Sequence, residues 1–89
     1  MKFEPGRLLA TPCALRAMEE AGAEPAFFLV RHFRGDWGDV DAEDWKANDR
    51  ALVEGTRLLS AYRLSDGTRI WIITEADRSA TTILLPEEY

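Results

Sequence analysis

The residues able to do chemistry are few and scattered. His32 is the only histidine, and Asp36 and Asp39 follow it closely enough to orient its ring as a general base. No nucleophile lies beside it in sequence; Cys13, Ser60 and Ser79 would have to be brought to it by the fold. The stretch "TEADRS", Thr74–Ser79, sets Glu75, Asp77 and Arg78 in one turn. Such a combination binds phosphate or moves protons when a cleft drives the two carboxyl pKa values apart. The commoner outcome is a connector, with Asp77 bonded to its own backbone and Arg78 paired with a nearby acid. We read it as a connector. His32, beside Phe33 on an apolar segment, reads as a hydrogen-bonded structural imidazole, and Cys13 as small-residue packing in a first helical turn. "RGDWGD" follows a helix and lacks the Lys-Ser/Thr of a phosphate-binding loop.

Cofactor and metal chemistry find little purchase. One cysteine and one histidine in 89 residues exclude an internal disulfide and a cysteine-based zinc site, and no cofactor is implied. The start, "MKFEPGRLLATPC", lacks the apolar core of a signal peptide. The longest apolar run, "IWII", is far short of the roughly 20 residues that span a bilayer. A cytoplasmic protein with no membrane partner is expected. A chain of this length makes one domain, residues 1–89, with a modest core.

Charge is the most uneven property of the chain. Net charge is −5, and it resides in residues 36–54, where seven acids (Asp36, Asp39, Asp41, Glu43, Asp44, Asp49, Glu54) face only Lys46 and Arg50. The flanking thirds are close to balanced. A field of that sign repels nucleic acid, so no direct nucleic-acid binding is expected, and it attracts basic protein surfaces. Read blandly, the segment is a solvated helix start. Read functionally, carboxylates spread over successive turns resemble spaced phosphates and fit a basic groove.

The elements that must position these groups are legible from caps and periods. "GRLLAT" reads as a short first strand. Thr11-Pro12 starts a helix that Gly22 stops; Pro25 starts a second that Gly35 stops. Phe28, Leu29 and Phe33 make that second helix the centre of the core. Asp41 caps a third, running to Glu54 and Gly55, with Glu43 and Asp44 in its first turn and an inward stripe of Trp45, Asn48 and Leu52. A buried side-chain amide left unpaired costs about 1–3 kcal/mol. Asn48 must therefore hold the Gly35–Gly38 turn or a strand end.

The last third changes to period two. Asp66-Gly67 between apolar alternations is a hairpin signal. A two-residue turn there pairs Tyr62 with Trp71 and Ser60 with Ile73. "TTILL" adds another antiparallel strand that Pro86 ends. The expected fold class is α+β: three N-terminal helices packed on one face of a C-terminal three-stranded antiparallel meander, with room for a short N-terminal strand ahead of the helices. In this register Tyr62 and Trp71 share one face, and Ile70 and Ile72 the other. Helices over Ile70 and Ile72 leave Tyr62 and Trp71 as the contact surface, for a target or a second copy.

"RHFRGDWGDV" and "IWIITEADRSATTILLPEEY", with the acids and Asn of the third helix and "RLLSAYRL", resemble a family of small plasmid-related proteins of bacterial mobile elements, sometimes labelled a type I restriction subunit. The resemblance runs from Leu9 to Tyr89, with its specific blocks at Gly35–Gly38 and Ile70–Tyr89. It implies an address on mobile DNA and transfers no catalytic residue. No methyltransferase motif or glycine-rich cofactor loop supports the restriction label. Small acidic proteins of such elements are often inhibitors of host defence. The expectation is thus a non-enzymatic, protein-binding inhibitor of anti-CRISPR or antirestriction type, directed at a basic nucleic-acid-binding complex. Asp36, Asp39, Glu43, Asp44 and Asp49 would attract it; Trp37, Tyr62 and Trp71 would anchor it. The alternative is a homodimeric structural or regulatory accessory protein of the element, joined through the open sheet face. A small hydrolase on His32–Asp36 or Glu75–Asp77 would need those groups gathered in one cleft.

Overall fold

Caps fix the helices. In the computed structural model, which describes all residues Met1–Tyr89, the chain runs β1 (Arg7–Ala10), α1 (Pro12–Glu20), α2 (Pro25–Phe33), α3 (Ala42–Glu54), β2 (Leu58–Arg63), β3 (Arg69–Thr74) and β4 (Ala80–Leu84), ending in a 3₁₀ turn at Pro86–Glu88. Thr11 Oγ1 accepts from the Ala14 N–H at 3.1 Å to start α1. Asp41 accepts from the Asp44 N–H at 2.8 Å to start α3, which Gly55 closes at φ 74°. No helix is long and apolar enough to cross a membrane.

The three-stranded antiparallel meander is not what forms. The sheet has four strands in the order β1-β4-β3-β2, and it is mixed, because β1 lies parallel to β4. Helices therefore fall between strands of one sheet. The physical reason is connection length: three helices and the β2–β3 hairpin separate β1 from β4, enough chain to return for parallel pairing, which a tight turn cannot do. In that position β1 satisfies the outer edge of β4.

The hairpin register also differs by one residue. The Leu64 N–H donates to the Thr68 carbonyl at 2.8 Å, so the loop is Ser65–Gly67 rather than Asp66-Gly67 alone. Gly67 takes φ 90°, and Asp66 Oδ1 accepts from the Thr68 N–H, the pattern of a three-residue hairpin loop with a left-handed last residue. Tyr62 then pairs with Ile70, Ser60 with Ile72 and Ala61 with Trp71. With a side-chain period of two, that slip sends Tyr62 to the helix-covered face and leaves Trp71 on the other.

Under α1 and α2 the core joins Ala14, Met18 and Phe28 to Tyr62, Leu64, Ile70, Ile72 and Ile83. Each large apolar side chain buried there stabilises the fold by roughly 1.5–3 kcal/mol. A second cluster, Trp37, Ala51 and Leu58 with Phe3, Val40, Trp45 and Leu52 around it, seats α3 along the edge of β2. Asn48 makes the joint. Its Nδ2 donates to the Leu59 carbonyl at 2.8 Å and its Oδ1 accepts from the Leu59 N–H at 3.1 Å, so the amide stands in for a neighbouring strand. Beside it, Trp37 and Asp39 exchange backbone bonds with Ala61. Together they seal an edge that would otherwise invite strand pairing.

"TEADRS" is a connector, though not through an ion pair. Asp77 Oδ1 accepts from the Ser79 N–H at 2.9 Å, and hydrogen bonds from Ser79 hold the Asp77 carboxyl below its usual range. Arg78 takes φ 61° and pairs with no acid. Its guanidinium donates to the carbonyls of Thr56 (2.7 Å), Glu75 (3.0 Å), Ala76 (3.2 Å) and Ala51 (3.1 Å). It thereby ties the end of α3 to the β3–β4 turn. Arg78→Ala is expected to cost about 2–3 kcal/mol in urea unfolding, since hydrogen bonds to charged groups are the stronger kind. Arg78→Lys should recover less than half of that, because an ammonium lacks the planar fork that reaches several carbonyls at once.

Candidate functional site

The groups that looked most like a catalytic site meet, but in the core. His32 on α2 and Ser60 on β2 are both 0% exposed; Nδ1 lies 2.5 Å from Ser60 Oγ and Nε2 lies 2.8 Å from Thr74 Oγ1. Thr74 Oγ1 is 2.8 Å from Thr81 Oγ1, which donates to the Pro5 carbonyl at 2.7 Å. That last bond fixes the proton order. A carbonyl only accepts, so Thr81 spends its proton on Pro5 and accepts from Thr74. Thr74 must in turn accept from His32 Nε2–H, leaving Nδ1 to accept from Ser60. Both ring nitrogens are committed to a neutral tautomer. Burial, reinforced by the positive charge of Arg78, lowers the imidazole pKa to about 4. The fold thus supplies the nucleophile that the local sequence lacked, and encloses it. The hydrolase reading needed an open cleft here; the geometry is that of a core tie.

The sheet face opposite α1 and α2 is different in kind. By the register of the strands it carries Leu59, Ala61 and Arg63 from β2, Arg69, Trp71 and Ile73 from β3, and Thr82 and Leu84 from β4. The C-terminal residues fold back over part of it. Glu88 accepts from the Thr11 hydroxyl at 2.7 Å and from the Leu85 N–H at 2.8 Å, both of which draw its carboxyl below the usual range. The Tyr89 ring then meets Trp71 edge-on at 5.7 Å, and Arg57 bonds its hydroxyl. On the β2 side the face stays open as a groove of about 300 Å³ bounded by Asp39, Val40, Asp41, Asp44, Leu59, Ala61, Arg69 and Trp71. It continues into a wider, shallower hollow lined by Arg63 and Arg69 against Gly38–Asp41.

The acids expected to act together are divided by the fold. Asp36 pairs with Arg31, Nε to Oδ2 at 2.7 Å and Nη2 to Oδ1 at 3.3 Å, and also accepts from the Gly38 N–H at 3.2 Å. The arginine bond holds its pKa below the usual carboxylate range. Asp49 accepts the Trp37 indole N–H at 3.0 Å. These two carboxylates build the loop. Asp39, Asp41, Glu43, Asp44 and Glu54 are exposed, as is Asp49 despite its indole bond, and of these Asp39, Asp41 and Asp44 stand on the groove rim. Trp37, expected as an anchor for a partner, is 0% exposed, because the Asp49 carboxylate meets its one polar atom and Phe3 stacks on its ring. Tyr62 is equally unavailable. Its hydroxyl donates to the Asp36 carbonyl at 2.6 Å, Arg31 lies over its ring, and burial pushes its pKa up to about 12. Of the expected aromatic anchors only Trp71 reaches the open face, half-buried.

Arg63 and Arg69 were missed in sequence. They stand directly opposite each other across β2 and β3, a like-charge pairing that costs stability unless acids are near, and only the corrected register brings them together. The buried hydroxyls had a readable signal: Ser60, Thr74 and Thr81 put polar groups at inward positions of three adjacent strands, which demands a shared polar partner. No three His, Cys, Asp or Glu side chains gather to hold a metal ion. Against protein-family models, curated proteins and solved structures, the chain has no match.

Proposed function

We propose that the chain is a non-catalytic docking protein. Its acid-rimmed sheet face meets a basic surface on a protein complex that handles nucleic acid, in the manner of antirestriction and anti-CRISPR inhibitors. One observation carries the reading: Asp39, Asp41 and Asp44 line the same groove as the half-buried Trp71, on the face that α1 and α2 leave uncovered. A large aromatic beside exposed carboxylates is the makeup of a charge-steered interface, where the ring supplies contact energy and the acids supply approach rate and orientation. Arg63 and Arg69 at the end of the groove add donors for acceptor groups on the partner. The resemblance to plasmid-related proteins supplies the biological setting.

The test is a plasmid-interference assay in a host carrying CRISPR–Cas and restriction systems, comparing wild type with Asp39→Lys/Glu43→Lys/Asp44→Lys. Asp41 is left in place because it caps α3, and Asp36 and Asp49 because they hold the loop. The triple variant is expected to abolish interference relief while staying folded, at a cost of about 1 kcal/mol for lysines in the first turn of α3. Trp71→Ala is expected to weaken binding about thirtyfold, the effect of a hot spot worth about 2 kcal/mol. Wild-type protein that relieves no interference, or charge-reversed protein that relieves it fully, would sink the reading.

A further inference from the structure

The two edges of the sheet are finished differently. Along β2 the outward backbone groups of Leu59 and Ala61 are engaged by Asn48, Trp37 and Asp39. At the other edge nothing pairs with the outer side of β1. Three of its residues are exposed, including Leu8 at 54% and Leu9 at 42%. The N–H groups of Arg7 and Thr11 donate inward, to the Ser79 and Ile83 carbonyls. Backbone groups alternate along a strand, so Leu8 and Ala10 present their N–H and C=O outward. Within Arg7–Ala10 there is no proline or bulge to block pairing, and the one charge on this short edge is Arg7.

We infer that β1 pairs antiparallel with β1 of a second copy, about a two-fold axis at Leu9. The register follows from three constraints. A two-fold axis normal to the sheet keeps each residue on its own face, so opposed residues differ by an even number of positions. The outward groups are those of Leu8 and Ala10, and a two-fold through either one would leave the other without a partner inside the strand. Leu8 therefore exchanges hydrogen bonds with Ala10 of the second copy, and Ala10 with its Leu8. Leu9 then faces Leu9 of the second copy in a non-hydrogen-bonded pair, where Cα atoms approach to about 4.5 Å.

Charge supports this occupant over a foreign strand. The register sets Arg7 opposite Thr11 of the second copy, whose hydroxyl donates to Glu88 at 2.7 Å. Each Arg7 guanidinium thus meets a Glu88 carboxylate, twice by symmetry. Within one chain neither has an ion-pair partner; the one salt bridge is Arg31–Asp36. Leu8 comes to rest on Ala10 of the second copy, at the rim of the core against which Ala10 packs. The result is one continuous sheet of twice the width. Both grooves stay open on the same side, so this pairing is independent of the docking function proposed above.

Sedimentation equilibrium of the wild-type chain is expected to show monomer and dimer, and Arg7→Glu/Leu9→Lys to weaken the dimer about a hundredfold at unchanged circular dichroism. In a Cys13→Ser background, Leu9→Cys is expected to form a covalent dimer on mild oxidation, since the Cα spacing falls within disulfide range. Val53→Cys, exposed on α3, should form no covalent dimer. If the charge-reversed variant fails to fold, the Leu9→Cys crosslink decides alone. A wild-type monomer at every concentration overturns the inference. So does a dimer indifferent to both substitutions, which would place the contact elsewhere, the open sheet face included.

Discussion

Gly38→Ala is expected to lose on the order of 4 kcal/mol, a large share of the stability of a chain this short. Gly38 sits at φ 77°, and a Cβ built there would lie 2.1 Å from the Ala61 carbonyl oxygen and 2.6 Å from the Tyr62 ring. Left-handed backbone alone costs a side chain roughly 1–2 kcal/mol. The rest comes from what must move. Gly38 is the bridge between the loop and β2, held by Ala61 N–H to the Trp37 carbonyl at 3.0 Å and by Asp39 N–H to the Ala61 carbonyl at 2.6 Å. Pushing the loop outward breaks both, unseats the fully buried Trp37 and separates its indole from Asp49. Gly67→Ala is the control: its φ is 90°, but nothing lies within 4 Å of the added carbon, so only the backbone term applies. Urea midpoints that differ little between the two variants would show that the loop yields easily and does not fasten α3 to the sheet.

That loop also marks where the sequence stops being legible. Helix starts and ends at Thr11, Asp41 and Gly55 are local chemistry, and the chain obeys them. The role of Asn48 follows from an obligation, since a buried amide must find a partner, and it found one on Leu59. Strand pairing carries no such local signature. The parallel placement of β1 depends on where three helices leave the chain, and four residues of "RLLA" say nothing about which edge they will join. The hairpin shows how little is needed to misplace a site. One extra loop residue at Ser65 exchanges Tyr62 for Ala61 on the open face, converting an expected surface anchor into a core residue.

The acidic segment was legible as composition and not as geometry. Its excess of carboxylates reads the same whether they stand together or apart, and the fold sets them apart. Asp36 and Asp49 are drawn into the loop's own construction by Arg31 and Trp37, pairings between residues five and twelve positions apart in sequence. Only Asp39, Asp41 and Asp44 line the groove beside Trp71, a smaller charge than the sequence suggests, while Glu43 and Glu54 are exposed on α3 outside that lining. This division decides which substitutions test binding and which test only folding. A variant set built on all seven acids would confound the two.

The second large effect is pH-dependent. Between pH 6.5 and about 4 the wild-type chain is expected to lose about 3 kcal/mol through His32 alone. The imidazole titrates at its ordinary 6.5 when unfolded and at about 4 when buried, so in that window the unfolded chain binds the extra proton. Stability is full above pH 6.5, falls as pH drops toward 4, and levels off below it as far as this group is concerned. Asp36, Asp66, Asp77 and Glu88, whose carboxyls are held below their usual range, begin to lose their contributions as pH falls through the ordinary carboxylate range, at the acid end of this window. They do so equally in every variant compared. The difference from a variant lacking the imidazole therefore isolates the histidine. His32→Leu by itself strands the Ser60 proton and an acceptor site on Thr74, at about 2–5 kcal/mol for two unsatisfied buried groups. His32→Leu/Ser60→Ala/Thr74→Val removes the network as a unit, and Thr81 keeps its bond to the Pro5 carbonyl. That triple variant is expected to be more stable than His32→Leu and to lack the slope between pH 6.5 and 4. Urea unfolding of the three proteins across this range distinguishes a core tie from a reactive pair. If the triple variant keeps the wild-type slope, His32 is not the buried neutral group that the hydrogen-bond order requires.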